Sequence, residues 1–255
     1  MRAVAVRSDA LVITSSLWMT TATAVRSGGE AFLIDSPYFP DELEALPALA
    51  GRSGFELKGL LATHADFDHL LGRVAFPELP LGVGESTAMR LRAEPGAAQR
   101  ELRDADAEHY VKRERPLSLG SVQALPVPGK LDFGDEELEL HGADGHTADG
   151  TAFFWRSAGL LVCGDYLSNV EIPTVKSLDD YRSTLALFDR LLADADTVVP
   201  GHGSVLSRED ARRLLEEDVA YLDALERGDE RLPKGRASAR QRELHRENVG
   251  RAGAA

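Results

Sequence analysis

The chain has 255 residues, 43% of them hydrophobic and 28% charged, an ordinary balance for a globular protein of one large domain. A formal net charge of −13 argues against a nucleic-acid surface, because phosphate binding needs clustered Lys and Arg. A single cysteine, Cys163, cannot close an intrachain disulfide, and neither a basic-then-apolar leader nor an apolar run long enough to span a membrane is read. The expectation is a cytoplasmic protein acting on a small molecule, with neither nucleic acid nor membrane as partner and no oligomeric state implied.

In chain order, short apolar runs predict strands near Val4 to Val6, Leu11 to Thr14, Leu17 to Val25 and Ala31 to Asp35, with Gly28-Gly29-Glu30 turning between the last two. Pro40 to Leu49 reads as helix, Gly59 to Thr63 as a buried strand, and His69 to Val74 as a short helix. Ser86 to Arg115 reads as one helical stretch, rich in Ala, Arg and Glu. Strands follow at Ser121 to Val127, Leu138 to His141, Thr151 to Trp155 and Leu160 to Cys163. Leu178, Tyr181, Leu185, Phe188 and Leu192 recur at helical spacing, and Thr197 to Val199 is a strand. Ser207 with Asp210 resembles a capping box ahead of the stripe Ala211, Leu215, Val219 and Leu222. Residues 1–227 form the expected domain. Residues 228–255, rich in Arg and poor in apolar side chains, are expected as a flexible tail with a helical piece from Ser238 to Glu247.

Within this frame, Thr63-His64-Ala65-Asp66-Phe67-Asp68-His69 packs two imidazoles and two carboxylates directly behind an apolar strand. Such density needs a positive charge between the groups, and a divalent metal supplies it. His64 and Asp66, two apart in extended chain, point to the same side. Asp68 and His69 follow where the chain turns and can face a second ion. His146, Asp165 and His202 each follow a strand and sit beside glycine. His109, His141 and His245 lack such company and read as surface or packing residues. Asp144 and Asp149, flanking His146, could each support a ligand, though solvated loop carboxylates are the favoured reading.

The pattern His-x-x-x-Asp-His, then Gly145-His146-Thr147, Gly164-Asp165 and Pro200-Gly201-His202-Gly203, resembles the metallo-β-lactamase superfamily over about residues 10–226. The resemblance implies an α+β fold, a four-layer αββα sandwich with a dinuclear site at one edge between the sheets. It implies that His64, Asp66 and His146 hold one divalent ion, that Asp68, His69 and His202 hold the other, and that Asp165 bridges. Asp35, at an early strand end, matches an aspartate that supports the ligand loop, and Thr63 and Thr147 join it as supporting neighbours of the ligands. Zinc is the expected metal, with iron or manganese as alternatives.

Two positions depart from the family pattern. Asp66 stands where histidine is common, and Ala148-Asp149 stands where Pro-Gly often follows the threonine. Asp66 removes one unit of positive charge from the site, which weakens Lewis acidity and favours harder ions. The expected reaction is hydrolysis of a small ester, thioester or lactone by a metal-bridging hydroxide. Asp68 orients it and carries the proton. Tyr166 and Lys176 are candidate substrate donors. Two alternatives stand beside hydrolysis: a flavodiiron-like dimetal oxidoreductase without a flavodoxin domain, since that family carries glutamate at the same position, and a metal-binding protein without turnover. Specificity is expected from Ser86 to Arg115 and from the loop Leu167 to Ser177, where Arg90, Arg92, Arg100, Arg103, Lys112 and Arg113 read mainly as a solvated helix face.

Overall fold

Residues 1–229 and 231–252 are described by a computed structural model. The first half opens with an antiparallel meander: β1 (Arg2–Arg7), β2 (Ala10–Thr14), β3 (Thr21–Ser27) and β4 (Glu30–Asp35). Helix α1 (Pro40–Arg52) then leads into β5 (Leu57–Ala62), which pairs parallel with β4. A 3-10 turn at Phe67–His69 and the short α2 (Gly72–Ala75) follow. Next come β6 (Leu81–Gly84), α3 (Glu85–Ala93), α4 (Ala97–Glu108) and β7 (Val122–Leu125), completing a seven-stranded sheet in sequence order.

The second sheet is built from β8 (Gly129–Phe133), β9 (Glu136–Gly142), β10 (Thr151–Trp155) and β11 (Leu160–Val162). After α5 (Leu178–Leu191) it gains β12 (Thr197–Val199) and β13 (Leu206–Ser207), in the order β13-β12-β11-β10-β9-β8. Helix α6 (Arg208–Glu226) begins at Ser207, whose hydroxyl accepts from the Asp210 N–H as an N-cap. Helix α7 (Ala239–Ala252) is last.

Strand periodicity sorts these elements into four layers. On β4 and β5, Ile34 and Leu61 face Phe153 and Val162 between the sheets, while the alternating Leu33 and Leu60 face Leu43 and Leu46 of α1. On the far side, Phe154 and Leu161 face Leu185 and Phe188 of α5 and Leu222 of α6. The chain is therefore the αββα sandwich that the motif order implies. The ends of β4, β5, β11 and β12 meet along one edge, where every ligand-bearing loop emerges.

The boundaries differ from expectation where turn residues act. The stretch read as one helix from Ser86 divides at Pro95-Gly96, because Pro95 cannot continue the hydrogen bonding and Gly96 takes φ +78°. The run from Leu17 is not strand until Thr21, since Trp18 and Met19 turn with φ of +54° and +52°. Of the Arg-rich stretch 228–255, residues 230 and 253–255 lie outside the described residues, and α7 covers and extends the expected helical piece. Arg236, Gln241, His245 and Asn248 in that stretch are buried. No helix among the described residues is long and apolar enough to cross a membrane.

Candidate metal centre

Four loops deliver seven ligand-type side chains to the shared sheet edge. After β5 the chain bends through residues 63–66, and His64 Nε2 and Asp66 Oδ2 are brought to 3.5 Å of each other. The 3-10 turn swings Asp68 and His69 to face the loop after β12, where His202 Nε2 is 3.3 Å from Asp68 Oδ2. His146, from the loop after β9, closes the first group at 3.6 Å from Asp66 Oδ2. Asp165, just after β11, reaches both groups: Oδ1 is 3.1 Å from His69 Nε2, and Oδ2 is 3.2 Å from His146 Nε2 and 3.4 Å from His202 Nε2. Donor atoms within 4.8 Å of one another form the sets His64, Asp66, His146 and Asp68, His69, His202, with a further set joining His64, His69 and Asp165. The first two sets have the membership that the family resemblance implies, while the third, with His64 and His69 from different sets, was not expected.

The donor set fits divalent ions on an independent observation. His64 Nε2, His69 Nε2, His146 Nε2 and Asp165 Oδ1 are buried and have no hydrogen-bond partner among the described residues. Unpaired buried polar atoms are costly, and here they converge on one place. Burial works against the His69 cation, yet Asp165, Asp35 and Asp68 hold its pKa well above the imidazole value. Burial likewise opposes the Asp165 charge, and His202, His69 and His146 hold that carboxyl well below the usual range. A divalent ion held there would compete with protons for these imidazole nitrogens.

The supporting contacts explain the orientation of the rings. Asp35 Oδ2 is 3.0 Å from His69 Nδ1, and Asp35 also accepts from the Thr63 N–H and hydroxyl. This carboxylate-histidine contact directs Nε2 at the site. Asp35 holds φ +59°, a strained value for a residue with a side chain. Thr63 Oγ1 lies 3.0 Å from His64 Nδ1, and His202 Nδ1 lies 3.2 Å from the Trp18 carbonyl. Thr147 is buried beside His146, but its hydroxyl has no partner among the described residues. Gly201 is required by space: a Cβ there would lie 2.1 Å from Asp165 Oδ1. Asp35→Ala is expected to weaken metal binding by about 10–100-fold, measured by competition with a chelator. Retention of wild-type affinity would show that Asp35 does not govern His69.

Arg90 and Asp149 form a clamp that the motifs did not disclose. Arg90 Nη2 lies 2.8 Å from Asp66 Oδ1, and its Nη1 lies 2.9 Å from Asp149 Oδ1. Asp149, for which the sequence favoured a solvated loop but left a supporting role open, is buried and accepts from the Ala65 N–H at 2.9 Å. The guanidinium holds the far oxygen of Asp66 and leaves Oδ2 facing His64 and His146. Because Arg90 also answers the buried Asp149, the three groups keep a net charge of −1, and Arg90 orients Asp66 without cancelling its charge. Only the fold brings α3 beside the ligand loop, and no spacing signal in the sequence encodes that contact.

Neither expected substrate donor is placed for that task. Tyr166 is buried, and its hydroxyl accepts from the His146 N–H at 2.9 Å and donates to the Asp144 carbonyl at 2.7 Å. It shapes the His146 loop. Lys176 is exposed, with its backbone N–H bonded to the Gly145 carbonyl. A cavity of about 730 Å3 opens in front of His146, Asp165 and His202, walled by Trp18 and Phe67 on one side and by α7 on another.

Comparison with known proteins agrees with this geometry. The family model of the metallo-beta-lactamase superfamily matches residues 16–202, and the chain belongs to that superfamily. A metallo-beta-lactamase family protein from Thermus thermophilus superposes with TM-score 0.68 at 19% identity, over 98% of this chain and 96% of that one. A metallo-beta-lactamase from Pontibacter korlensis gives 0.61 at 18% identity, over 84% and 98%. Rubredoxin oxygen:oxidoreductase from Desulfovibrio gigas gives 0.60 at 11% identity, over 87% of this chain and 62% of that one. At these identities the likeness is one of fold. No curated protein matches the chain.

Proposed function

We propose that the protein is a metal-dependent hydrolase acting on a small ester, thioester or lactone. The observation that carries this reading is the convergence of unpaired buried imidazole nitrogens and the Asp165 carboxylate on a cavity large enough for a small molecule. His64, Asp66 and His146 would hold one divalent ion, Asp68, His69 and His202 a second, and Asp165 both. Bound there, the ions would acidify a water and polarise the substrate carbonyl.

The remaining work falls to the chain itself. Asp68 lies 3.3 Å from His202 and lines the cavity. In this reading it accepts a proton from the attacking water and returns it to the alcohol or thiol that leaves as the acyl bond breaks. Trp18 and Phe67 line the cavity and give the substrate an apolar surface to rest on. Arg90 fixes the orientation of Asp66. The test is a screen of esters, thioesters and lactones with zinc-loaded protein; turnover lost on chelation is expected, and no turnover of any class would count against hydrolysis.

The carboxylate at position 66 favours a second reading, an iron-dependent oxidoreductase. Asp66→His is expected to raise zinc occupancy relative to iron or manganese, because imidazole is the softer donor. An unchanged metal ratio would take Asp66 out of the ligand set and weaken both readings of that position.

A further inference from the structure

Asp66 is the most open of the seven ligand-type side chains, 31% exposed where none of the others passes 11%. A carboxylate with that much room can turn about its own axis and offer an ion one oxygen or both. Arg90 removes the choice. Its Nη2 lies 2.8 Å from Asp66 Oδ1, while Oδ2 stays 3.5 Å from His64 Nε2 and 3.6 Å from His146 Nε2. Among the described residues no other Lys or Arg pairs with Asp66.

The guanidinium cannot follow Asp66 if that side chain turns, because its other end is anchored. Nη1 lies 2.9 Å from Oδ1 of the buried Asp149. Asp149 is itself fixed twice: Oδ2 accepts from the Ala65 N–H at 2.9 Å, and its carbonyl accepts from the Thr87 hydroxyl at 2.6 Å. Ala65 precedes Asp66 in the ligand loop, and Thr87 is buried on α3, the helix that carries Arg90. Helix, clamp and ligand loop are thus tied at several points. Glu94, exposed one turn further on, adds a looser contact to Arg90 Nε at 3.6 Å.

The number of oxygens that Asp66 offers bears on the choice of metal. Zinc is held most often by four donors in a tetrahedron, whereas manganese takes a six-donor shell rich in oxygen. A second oxygen from Asp66 would add a hard donor without adding a residue, and would favour manganese. We propose that Arg90, anchored by Asp149, is a positioning residue that sets the metal preference of the His64, Asp66 and His146 group. It holds Asp66 to a single donor oxygen and so favours zinc over manganese. The effect is one of orientation, not of charge, because Asp149 shares the guanidinium. It rests on the ligand role given to Asp66 above and not on the hydrolase reading.

The test compares wild type with Arg90→Gln and Arg90→Lys, each stripped of metal and titrated separately with zinc and with manganese against a chelator, with Tm as a control. In Arg90→Gln the zinc-to-manganese affinity ratio is expected to fall at least about tenfold at one of the two ions. The visible bands of the cobalt-loaded protein should weaken as that ion gains a donor. Arg90→Lys keeps the charge but lacks the planar fork that spans two carboxylates, so it should recover the ratio only in part. Arg90→Gln combined with Asp149→Asn strands no buried carboxylate, and it should show the same fall if the single variant folds poorly. An unchanged ratio, an equal loss of both metals, or full recovery by lysine would overturn the proposal. Asp66→Ala separates the two claims. If it keeps both ions, Asp66 is no ligand and the reading beneath the proposal fails with it. If it loses one ion while Arg90→Gln keeps the wild-type ratio, the clamp alone is overturned.

Discussion

Asp165→Ala is expected to lose most of its bound metal and nearly all metal-dependent activity. Asp165 alone stands within 3.4 Å of imidazoles from both ligand groups, touching His69, His146 and His202. It is also the carboxylate that balances the charge between them, held ionised by His202, His69 and His146 against burial. Its removal would take away the carboxylate that reaches both ligand groups, and it leaves beside Gly201 a space that the fold reserves for Oδ1. The loss in affinity should exceed the 10–100-fold typical of removing a supporting residue, so at least about 100-fold. The fold should survive, because Asp165 lies at the sheet edge rather than in the layers that hold the sandwich together. The measurement is metal content with far-UV circular dichroism on the same sample. Unchanged content would contradict a bridging role.

Arg236→Met is expected to cost about 3–5 kcal/mol of stability, the range for removing one partner of a buried ion pair. For a domain of this size that is a fall in Tm on the order of 10 °C. Arg236 and Asp218 lie 2.7 Å apart, with side chains only 2% and 1% exposed. Burial pushes the Asp218 carboxyl up to about 6 even though Arg236 draws it down. That value lies above the roughly 3.9 of an unfolded aspartate. The folded state therefore binds the proton more tightly, and this carboxyl contributes most to stability below about pH 4, less as pH rises through about 6. Without Arg236 the pKa climbs further. The deficit of Arg236→Met should accordingly be greatest at neutral pH and shrink toward pH 5, where Asp218 takes up a proton. A deficit independent of pH would show that lost packing, not the stranded charge, is responsible.

The ligand set was legible because its chemistry is local. Each of His64, Asp66, Asp68, His69, His146, Asp165 and His202 follows an apolar strand, and a strand end delivers its next residues to the sheet edge whatever the rest of the chain does. Arg90 was not legible. Its role comes from α3 packing beside the ligand loop, across a separation that no periodicity encodes, so its sequence neighbourhood suggested a solvated helix face. Tyr166 misled for the opposite reason: a tyrosine beside a ligand suggests a donor to substrate, whereas burial commits its hydroxyl to the His146 loop. The Arg-rich C-terminal stretch looked poor in apolar residues because it packs through polar groups. Gln241, Asn248 and Arg236 meet backbone groups of a loop that the sequence places far away. Strand β6, four residues that run directly into α3, was missed because so short an apolar run carries too little alternation to register.

The central claim is that seven side chains from four loops form one site for two metal ions. Its most direct test is elemental analysis of protein purified without added metal, repeated after divalent metal has been offered back and excess removed. Close to two ions per chain is the predicted result, with zinc favoured by the four histidines. One ion or none after reloading would contradict it, and would mean that Asp66 has closed one position and that the chain binds metal without the paired centre that hydrolysis requires.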